Sequence, residues 1–253
     1  MELKNKYYYF ISAFTPEICK KIIDYGTSII EKNKKDGIDT SATTFGDKHK
    51  SVVKNGLPQN DQTTQEITTN NKENNNFYIR DSEVAWLTDS WIYDLVVPYI
   101  EKANYYSGWN FQFDAHENFQ FTVYHPSGFY GWHTDGGSDV FSAYKRYMNG
   151  ITDEPLKQNG NFPSGYTKDN SLIGKIRKLS LTINLNLPGE YEGGNLMFDF
   201  GQHINEKQFY ECTEIRPQGS MIVFPSFTHH CVTPVTKGTR YSLVLWTLGE
   251  PFK

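Results

Sequence analysis

The feature that most constrains the fold is a change in hydrophobic period near residue 106. Before this point apolar residues recur at helical spacing, whereas beyond it they alternate with polar residues at every second position. Side chains two positions apart share one face of a strand, so this alternation predicts strands with one buried face. Turns that contain glycine or proline separate the runs, which favours an antiparallel sandwich or jelly roll. The alternating runs cover residues 109–113, 119–123, 179–185, 196–200, 221–224 and 243–245.

Helices are predicted only in the N-terminal part of the chain. Thr15 is a candidate cap for a first helix, which the sequence continues with apolar residues on one face. A second helical pattern covers residues 92–103 and contains Pro98, which predicts a kink or a break. Residues 7–14 are interpreted as a first strand, because the run is short, rich in tyrosine and without the cleavage pattern of a signal peptide.

We expect one domain over residues 1–253, since the first helix has no complete core of its own. In this interpretation residues 1–106 form a helical support with a polar loop at 36–76. Residues 107–250 form a jelly-roll core, with a lid-like insertion at 136–175. The predicted fold class is therefore α+β, mainly β, with the N-terminal helices packed on one sheet of the jelly roll.

Composition argues against several classes of protein. A net charge of −4 offers no electrostatic footprint for nucleic acid. No stretch approaches the roughly 20 apolar residues that a membrane span needs. The three cysteines are widely separated, which gives neither a disulfide framework nor a paired-cysteine metal site. We therefore expect a cytoplasmic protein with no membrane partner, and nucleic acid is disfavoured as a partner.

The motif His133-Thr134-Asp135 is the first candidate for chemistry. On a strand the side chains of His133 and Asp135 project together while Thr134 turns aside. One imidazole and one carboxylate are two members of the facial triad that binds Fe(II), and a second histidine must then come from elsewhere in the fold. A motif of this length is a weak signal by itself, and a surface turn is the alternative.

A second candidate segment contains the adjacent histidines His229 and His230. Neighbouring side chains on a strand point to opposite faces, so only one of the two can reach an interior metal. Arg240 follows His230 by ten positions, and its guanidinium would suit a dicarboxylate because it binds a carboxylate through two hydrogen bonds. A surface salt bridge is the alternative for Arg240.

Together these motifs resemble the Fe(II)/2-oxoglutarate dioxygenases, specifically the prolyl 4-hydroxylase-like branch that includes bacterial and phage hydroxylases. That family has a double-stranded β-helix (jelly roll) core. The matching residues, in chain order, are Tyr124, His133, Asp135, Gly193-Gly194-Asn195-Leu196, Phe224-Pro225-Ser226, His230, Val232, Pro234-Val235 and Arg240. Where animal and algal prolyl hydroxylases have a lysine, this chain has Arg240, and both residues satisfy a carboxylate.

The resemblance implies a role for each matching residue. It implies Fe(II) held by His133, Asp135 and His230, and it selects His230 rather than His229. It also implies that Tyr124 and Arg240 bind the distal carboxylate of the co-substrate 2-oxoglutarate. Ser180 and Trp246 match positions that line the same pocket, and strand alternation places Ser242 on the same face as Arg240 and Trp246.

The implied reaction is hydroxylation of a peptide or protein residue, most simply a prolyl residue, with O2 consumed and succinate and CO2 released. Ascorbate is a candidate reductant. A hydroxylase of a small molecule such as a free amino acid is the alternative. A non-catalytic jelly-roll binding module is disfavoured, because a structural metal site needs no anchor for a dicarboxylate. Substrate specificity is expected in residues 36–76 and 136–175, where Tyr144, Tyr147 and Tyr166 are candidates to line a groove.

Overall fold

The computed structural model of the protein describes residues 3–42, 44–46, 53–54, 57–58, 77–137, 143–146, 166–201 and 208–253. Within these residues the chain is mostly β, with antiparallel sheets and few helices, which confirms the mainly β prediction. The strands are β1 (Tyr8–Phe10), β2 (Thr44–Gly46), β3 (Val53–Lys54), β4 (Leu57–Pro58), β5 (Phe77–Asp81), β6 (Glu83–Leu87), β7 (Ala115–His116), β8 (Phe119–Tyr124), β9 (Phe129–His133), β10 (Lys145–Arg146), β11 (Tyr166–Thr167), β12 (Ile176–Asn184), β13 (Tyr191–Gly193), β14 (Leu196–Asp199), β15 (Phe209–Glu211), β16 (Met221–Pro225), β17 (His229–Val232), β18 (Val235–Gly238) and β19 (Arg240–Gly249).

Two helices precede most of the strands. Helix α1 (Pro16–Lys35) begins where the sequence predicts it, since the Thr15 hydroxyl accepts a hydrogen bond from the backbone N–H of Ile18. Helix α2 (Ser90–Tyr106) runs through Pro98 without the predicted break. Proline removes only one backbone hydrogen bond from the helix, and the buried face of α2 on either side of Pro98 offsets that loss.

The larger sheet has seven strands in the order β1-β16-β12-β19-β8-β6, with β7 paired to β19. Both helices share one apolar core with this sheet, so they pack on one of its faces. Helix α1 approaches β8 so closely at Gly26 that a Cβ atom there would lie 2.4 Å from the ring of Phe121. Core members from helices and sheet include Ile22, Ile30, Val96, Ile100, Phe121, Leu179, Ile183, Leu243 and Leu245.

The smaller sheet has six strands in the order β15-β14-β17-β9-β5-β2. A cavity separates it from the seven-stranded sheet, because side chains of β5, β9, β14 and β17 line one side and those of β8, β12, β16 and β19 line the other. The side chains on the opposite face of the larger sheet belong to the helical core, so the cavity and that core occupy different faces of the sheet.

One sequence prediction of local structure is wrong, and a second segment contains short strands that the sequence did not predict. The alternating residues 109–113 form no strand, because Gly108 and Asn110 adopt positive φ angles of 73° and 51° that a strand cannot contain. The aromatic side chains of this irregular segment still pack against the helical core, which produces the alternation. The predicted polar loop 36–76 contains the short strands β2, β3 and β4, and its residues 47–52, 55–56 and 59–76 lie outside the described residues.

The predicted insertion 136–175 is described at 136–137, 143–146 and 166–175. Its two ends are tied together, since the backbone N–H of Tyr144 donates to the carbonyl of Lys175 and that of Gly174 donates to the carbonyl of Tyr144. Among the groove candidates, Tyr147 lies outside the described residues and the Tyr166 backbone belongs to β11. No helix in the described ranges is long and apolar enough to cross a membrane.

Candidate metal centre

Three side chains from two neighbouring strands meet at one side of the cavity. His133 ends β9, Asp135 follows two residues later, and His230 lies in β17 directly opposite His133 in the strand register. The Nε2 atoms of His133 and His230 lie 3.5 Å and 3.6 Å from the two carboxylate oxygens of Asp135. One ligand atom from each residue lies within 4.8 Å of the others, so the structure brings together the three residues that the sequence singled out.

Backbone hydrogen bonds orient both imidazoles. The Nδ1 atom of His133 lies 2.8 Å from the carbonyl oxygen of Gly131, and the Nδ1 atom of His230 lies 2.9 Å from that of Thr228. A carbonyl can only accept, so each Nδ1 carries a proton and donates it. Each Nε2 is therefore left with its lone pair, and both point toward the Asp135 carboxylate as metal ligands require.

Electrostatics keeps this donor set in the form that a metal needs. Burial lowers the pKa of His230 to about 4, so its ring is neutral near pH 7. Burial alone would oppose ionisation of Asp135, but the two histidines and the positive charge of Arg177 outweigh it and hold the pKa of Asp135 below its ordinary value. Two imidazoles and one carboxylate are the donor set of non-haem Fe(II) sites. The residues therefore fit a ferrous ion.

The neighbouring histidine points away from this centre. His229 faces the outer side of the six-stranded sheet, where its Nδ1 lies 3.8 Å from a carboxylate oxygen of Asp199 and its ring contacts Trp132. Strand alternation required the two histidines to diverge but left open which one faces inward. The structure places His230 in the cavity.

Arg240 lies across the cavity from the six-stranded sheet. It is 1% exposed, pairs with Tyr124 in the register of β19 and β8, and holds its guanidinium carbon 5.3 Å from the Tyr124 ring. Its Nη1 donates to the Ser242 hydroxyl at 3.3 Å, whereas its buried Nε has no hydrogen-bond partner in the described part of the chain. At Gly194 a side chain would meet Arg240 Cδ at 2.8 Å, so this glycine leaves room for the guanidinium stem.

Comparison with known proteins places this arrangement in a family. The family model described as the 2OG-Fe(II) oxygenase superfamily matches residues 119–248, which is more than half of the chain and includes the three converging residues and Arg240. The chain belongs to the 2OG-Fe(II) oxygenase superfamily. Its members are 2-oxoglutarate-dependent dioxygenases, as the sequence motifs predicted.

Curated relatives match over part of their length. A PKHD-type hydroxylase of Klebsiella pneumoniae is 30% identical over 128 residues, which is 50% of this chain and 41% of that protein. The PKHD-type hydroxylase YbiX of Shigella boydii is 33% identical over 106 residues, which is 41% of this chain and 40% of the relative. The matched region therefore spans less than half of either relative.

Two solved structures share the fold at low sequence identity. The viral collagen prolyl hydroxylase of Paramecium bursaria Chlorella virus-1, in its 2OG complex, superposes with a TM-score of 0.53 at 16% identity and 97% coverage of both chains. A prolyl-4-hydroxylase of Pseudomonas putida superposes with a TM-score of 0.51 at 13% identity, covering 96% of this chain and 92% of its own.

The remaining predicted pocket residues occupy different positions. Ser242 and Trp246 line the cavity on the same face of β19 as Arg240. Ser180 lies opposite Trp246 in the strand register, but its hydroxyl lies 3.0 Å from that of Ser226 and it does not line the cavity. Thr182, two positions further along the same face of β12, lines the cavity instead.

Sequence reasoning missed several residues around the centre. The ring of Tyr130 stacks on that of His133 at a centroid distance of 3.6 Å, and the guanidinium carbon of Arg80 lies over the Tyr130 ring at 4.6 Å. Arg80 lines the cavity with Gln120. Strand alternation would place the side chain of Tyr130, three positions before His133, on the opposite face of β9. A register shift between β17 and β9 places both side chains on the cavity side instead. No local signal in the sequence identifies Arg80.

A second group of missed residues holds the backbone of Asp135. Arg177 donates from Nη1 to the carbonyl oxygen of Asp135 at 3.1 Å and binds both carboxylate oxygens of Glu117. The hydroxyl of Tyr144 donates to Glu117 at 2.7 Å, so a residue of the 136–175 insertion reaches this group. The Arg177 guanidinium also stacks 4.0 Å from the Trp246 ring. The group therefore connects the insertion, the metal-side backbone and the cavity wall.

Proposed function

We propose that this protein is an Fe(II)- and 2-oxoglutarate-dependent oxygenase that hydroxylates a peptide or protein residue, with a prolyl residue as the first candidate. The observation that carries the proposal is the convergence of His133, Asp135 and His230 within 4.8 Å, with both Nε2 lone pairs already directed inward. Membership of the 2OG-Fe(II) oxygenase superfamily supports it. The prolyl candidate is suggested by the names of the two solved structures that share the fold.

In this proposal Fe(II) is held by Nε2 of His133, Nε2 of His230 and a carboxylate oxygen of Asp135. When bound, the metal supplies the activation of O2 that couples decarboxylation of 2-oxoglutarate to substrate oxidation. The overall reaction is balanced: the substrate C–H becomes C–OH with one oxygen atom of O2, and 2-oxoglutarate becomes succinate and CO2 with the other. The chain orients the donors through Gly131 and Thr228 and buries them from water.

The co-substrate role of Arg240 rests on its environment. A buried guanidinium without an acidic partner is costly, and a carboxylate bound by its unused donors would relieve that cost. We propose that Arg240 and Tyr124 bind the distal carboxylate of 2-oxoglutarate, with Ser242 and Trp246 beside it. Ser180 would act through Ser226 rather than by contact.

The finer points of fold and setting are also proposals. The two sheets around one cavity are consistent with a double-stranded β-helix (jelly roll), and we propose that residues 1–253 form one such domain. Three free, buried cysteines support a reducing, cytoplasmic location. Ascorbate remains a candidate reductant for the iron.

The direct test measures succinate release by the purified protein with Fe(II), 2-oxoglutarate and O2, together with iron bound per chain. We expect one iron per chain, and we expect His133→Ala, Asp135→Ala and His230→Ala each to abolish turnover. His229→Ala is the matched control, because its side chain faces outward. If His229→Ala loses iron while His230→Ala keeps it, the proposed ligand set is wrong, and a protein that binds iron without any turnover would be a binding module instead.

A small-molecule substrate is the second candidate, and one observation favours it. Arg80 offers a buried positive charge to the cavity, beside Tyr130 and the proposed iron ligand His133. An uncharged segment in the middle of a peptide would leave this charge without a partner. A free amino acid carries a carboxylate that could provide one.

A further inference from the structure

The cavity contains a second buried arginine that no acidic side chain in the described ranges neutralises. Arg80 is 7% exposed and lines the cavity from β5. Its Nε donates to the hydroxyl of Ser82 at 2.9 Å and its Nη2 donates to the amide oxygen of Gln120 at 2.7 Å. Both acceptors are neutral. Among the described residues no carboxylate lies within ion-pair distance of Arg80.

Arg80 lies close to the proposed iron site but opposite the proposed co-substrate anchor. It pairs with Tyr130 across β5 and β9, and its guanidinium lies 4.6 Å from the Tyr130 ring, which stacks on His133 at an interplanar angle of 12°. Two ring contacts therefore separate the charge of Arg80 from a proposed metal ligand. Arg240 belongs to the other sheet, so the two arginines approach the cavity from different sides.

A third arginine, the half-buried Arg177, shows how the protein neutralises such a charge when it uses its own residues. Arg177 binds Glu117 through two hydrogen bonds, and the second of these is 2.6 Å long. Arg80 has no equivalent of Glu117. A guanidinium buried with only neutral acceptors loses much of its hydration without gaining an opposite charge, which is unfavourable until an anion arrives.

The charged groups of the proposed reaction leave the positive charge of Arg80 without an opposite charge. Fe(II), Asp135 and Arg240 together carry two positive charges, and the two carboxylates of 2-oxoglutarate neutralise them. The charge of Arg80 then remains for the other molecule in the cavity. Because Nη1 of Arg80 makes no hydrogen bond to the described residues, Nη1 and Nη2 can together bind one planar carboxylate.

Resting on the proposed function, we propose that the substrate presents a carboxylate to Arg80. The carboxylate belongs to a free amino acid, to the C-terminal residue of a peptide, or to an acidic side chain beside the hydroxylated residue. These sources share one recognition chemistry, and substrates can be designed to distinguish them.

The first test compares carboxylates with their neutral amides on the wild-type protein loaded with Fe(II). The small probes are the common free amino acids and their primary amides. The peptide probes are N-acetylated peptides that carry the same residues internally, at a free C-terminus or at an amidated C-terminus. Each peptide is made with and without a neighbouring glutamate. Succinate release and the gain of one oxygen by mass spectrometry are measured for each. We expect the best substrate to carry a carboxylate and its amide to lose at least about tenfold in kcat/KM.

The outcomes separate this proposal from the proposed function. An amide that performs as well as its acid overturns the carboxylate proposal. The same holds if no carboxylate raises succinate release above a measurable substrate-free rate. If no succinate forms under any condition, the proposed function fails and this proposal fails with it. Which probe gives the highest kcat/KM identifies the source of the carboxylate.

The second test uses variants with the best acid substrate. Arg80→Gln should raise the KM for that substrate at least about tenfold, with Arg80→Lys intermediate, while the KM for 2-oxoglutarate changes less than about twofold. Arg216→Gln is the matched control, since Arg216 also lies over a tyrosine, 5.0 Å from the ring of Tyr191, but does not line the cavity. An increase confined to the KM for 2-oxoglutarate would make Arg80 a co-substrate anchor and overturn the proposal. The amide comparison on the wild-type protein decides the question even if the Arg80 variants fail to fold.

Discussion

Replacing Arg240 with alanine removes a guanidinium that is 1% exposed and makes only one hydrogen bond to the described residues, to Ser242. The proposed partner is the distal carboxylate of 2-oxoglutarate, which would enter the same buried space. Truncating one member of a buried, hydrogen-bonded charge pair costs about 2–5 kcal/mol. At tenfold per roughly 1.4 kcal/mol, the affinity for 2-oxoglutarate should fall roughly 30- to 4000-fold.

Iron binding should be affected far less by this substitution. Arg240 belongs to β19 in the seven-stranded sheet, whereas the three proposed ligands lie on or next to β9 and β17 in the other sheet. No hydrogen bond or ion pair joins Arg240 to a proposed ligand. Arg240→Lys should be milder than alanine but not neutral, because it keeps the charge and loses the planar pair of donors.

The assay is succinate release as a function of 2-oxoglutarate concentration, with iron per chain measured on the same samples. Arg216→Gln serves as a control for loss of an arginine that does not line the cavity, and its KM for 2-oxoglutarate should equal that of the wild type. An unchanged KM for 2-oxoglutarate in Arg240→Ala would refute the carboxylate-anchor role. Loss of iron together with 2-oxoglutarate turnover would show instead that Arg240 acts by supporting the whole site.

Three further predictions follow from the same structure. Outward-facing His229 should be dispensable, so His229→Ala should retain a substantial fraction of succinate release while the triad variants show none. Equal loss in all four would show that His229 is required as well. Gly26→Ala should lower the free energy of unfolding in urea by about 1–3 kcal/mol, because the new methyl group would overlap the Phe121 ring. Exposed Ser28→Ala on the same helix is the control, and a stabilised Gly26→Ala variant would contradict the packing. Residues 136–175 should gain hydrogen-exchange protection when substrate is added to the protein with Fe(II) and 2-oxoglutarate, as a closing lid requires; equal protection in both states would argue against a lid.

The sequence predicted best what depends on local spacing. Because His133 and Asp135 are two positions apart on an extended segment, their side chains point in the same direction. Thr15 caps the first helix by accepting a hydrogen bond from an N–H group only three residues away. The choice between His229 and His230 needed more than spacing, since alternation separates the two rings without saying which face is inside. The family resemblance selected His230, and the structure places that residue opposite His133 in the register.

The predictions that failed depend on contacts that local patterns do not record. Aromatic residues at 109–113 alternate like a strand, yet positive φ angles at Gly108 and Asn110 interrupt the backbone while the rings still reach the core. The groove role predicted for Tyr144 stays a prediction, but no local pattern indicated that its hydroxyl binds Glu117, 27 residues away in the sequence. The hydrogen bond between Arg80 and Gln120 spans 40 residues, so nothing near Arg80 indicates its surroundings.

Two buried arginines and one half-buried arginine show why charge compensation gives information that sequence patterns lack. Arg80, Arg177 and Arg240 all lie within strands, and no local pattern indicates which of them has an acidic partner in the fold. Within the described part of the chain, Arg177 alone among the three has a carboxylate partner, Glu117, and its Nη1 donates to the backbone carbonyl of Asp135. If acidic side chains neutralised Arg80 and Arg240 as Glu117 neutralises Arg177, the ligand-free folded protein would have a lower free energy. Because they instead face a cavity beside a proposed iron site, the missing negative charges are best supplied by the molecules that bind there, one by 2-oxoglutarate and one by the substrate.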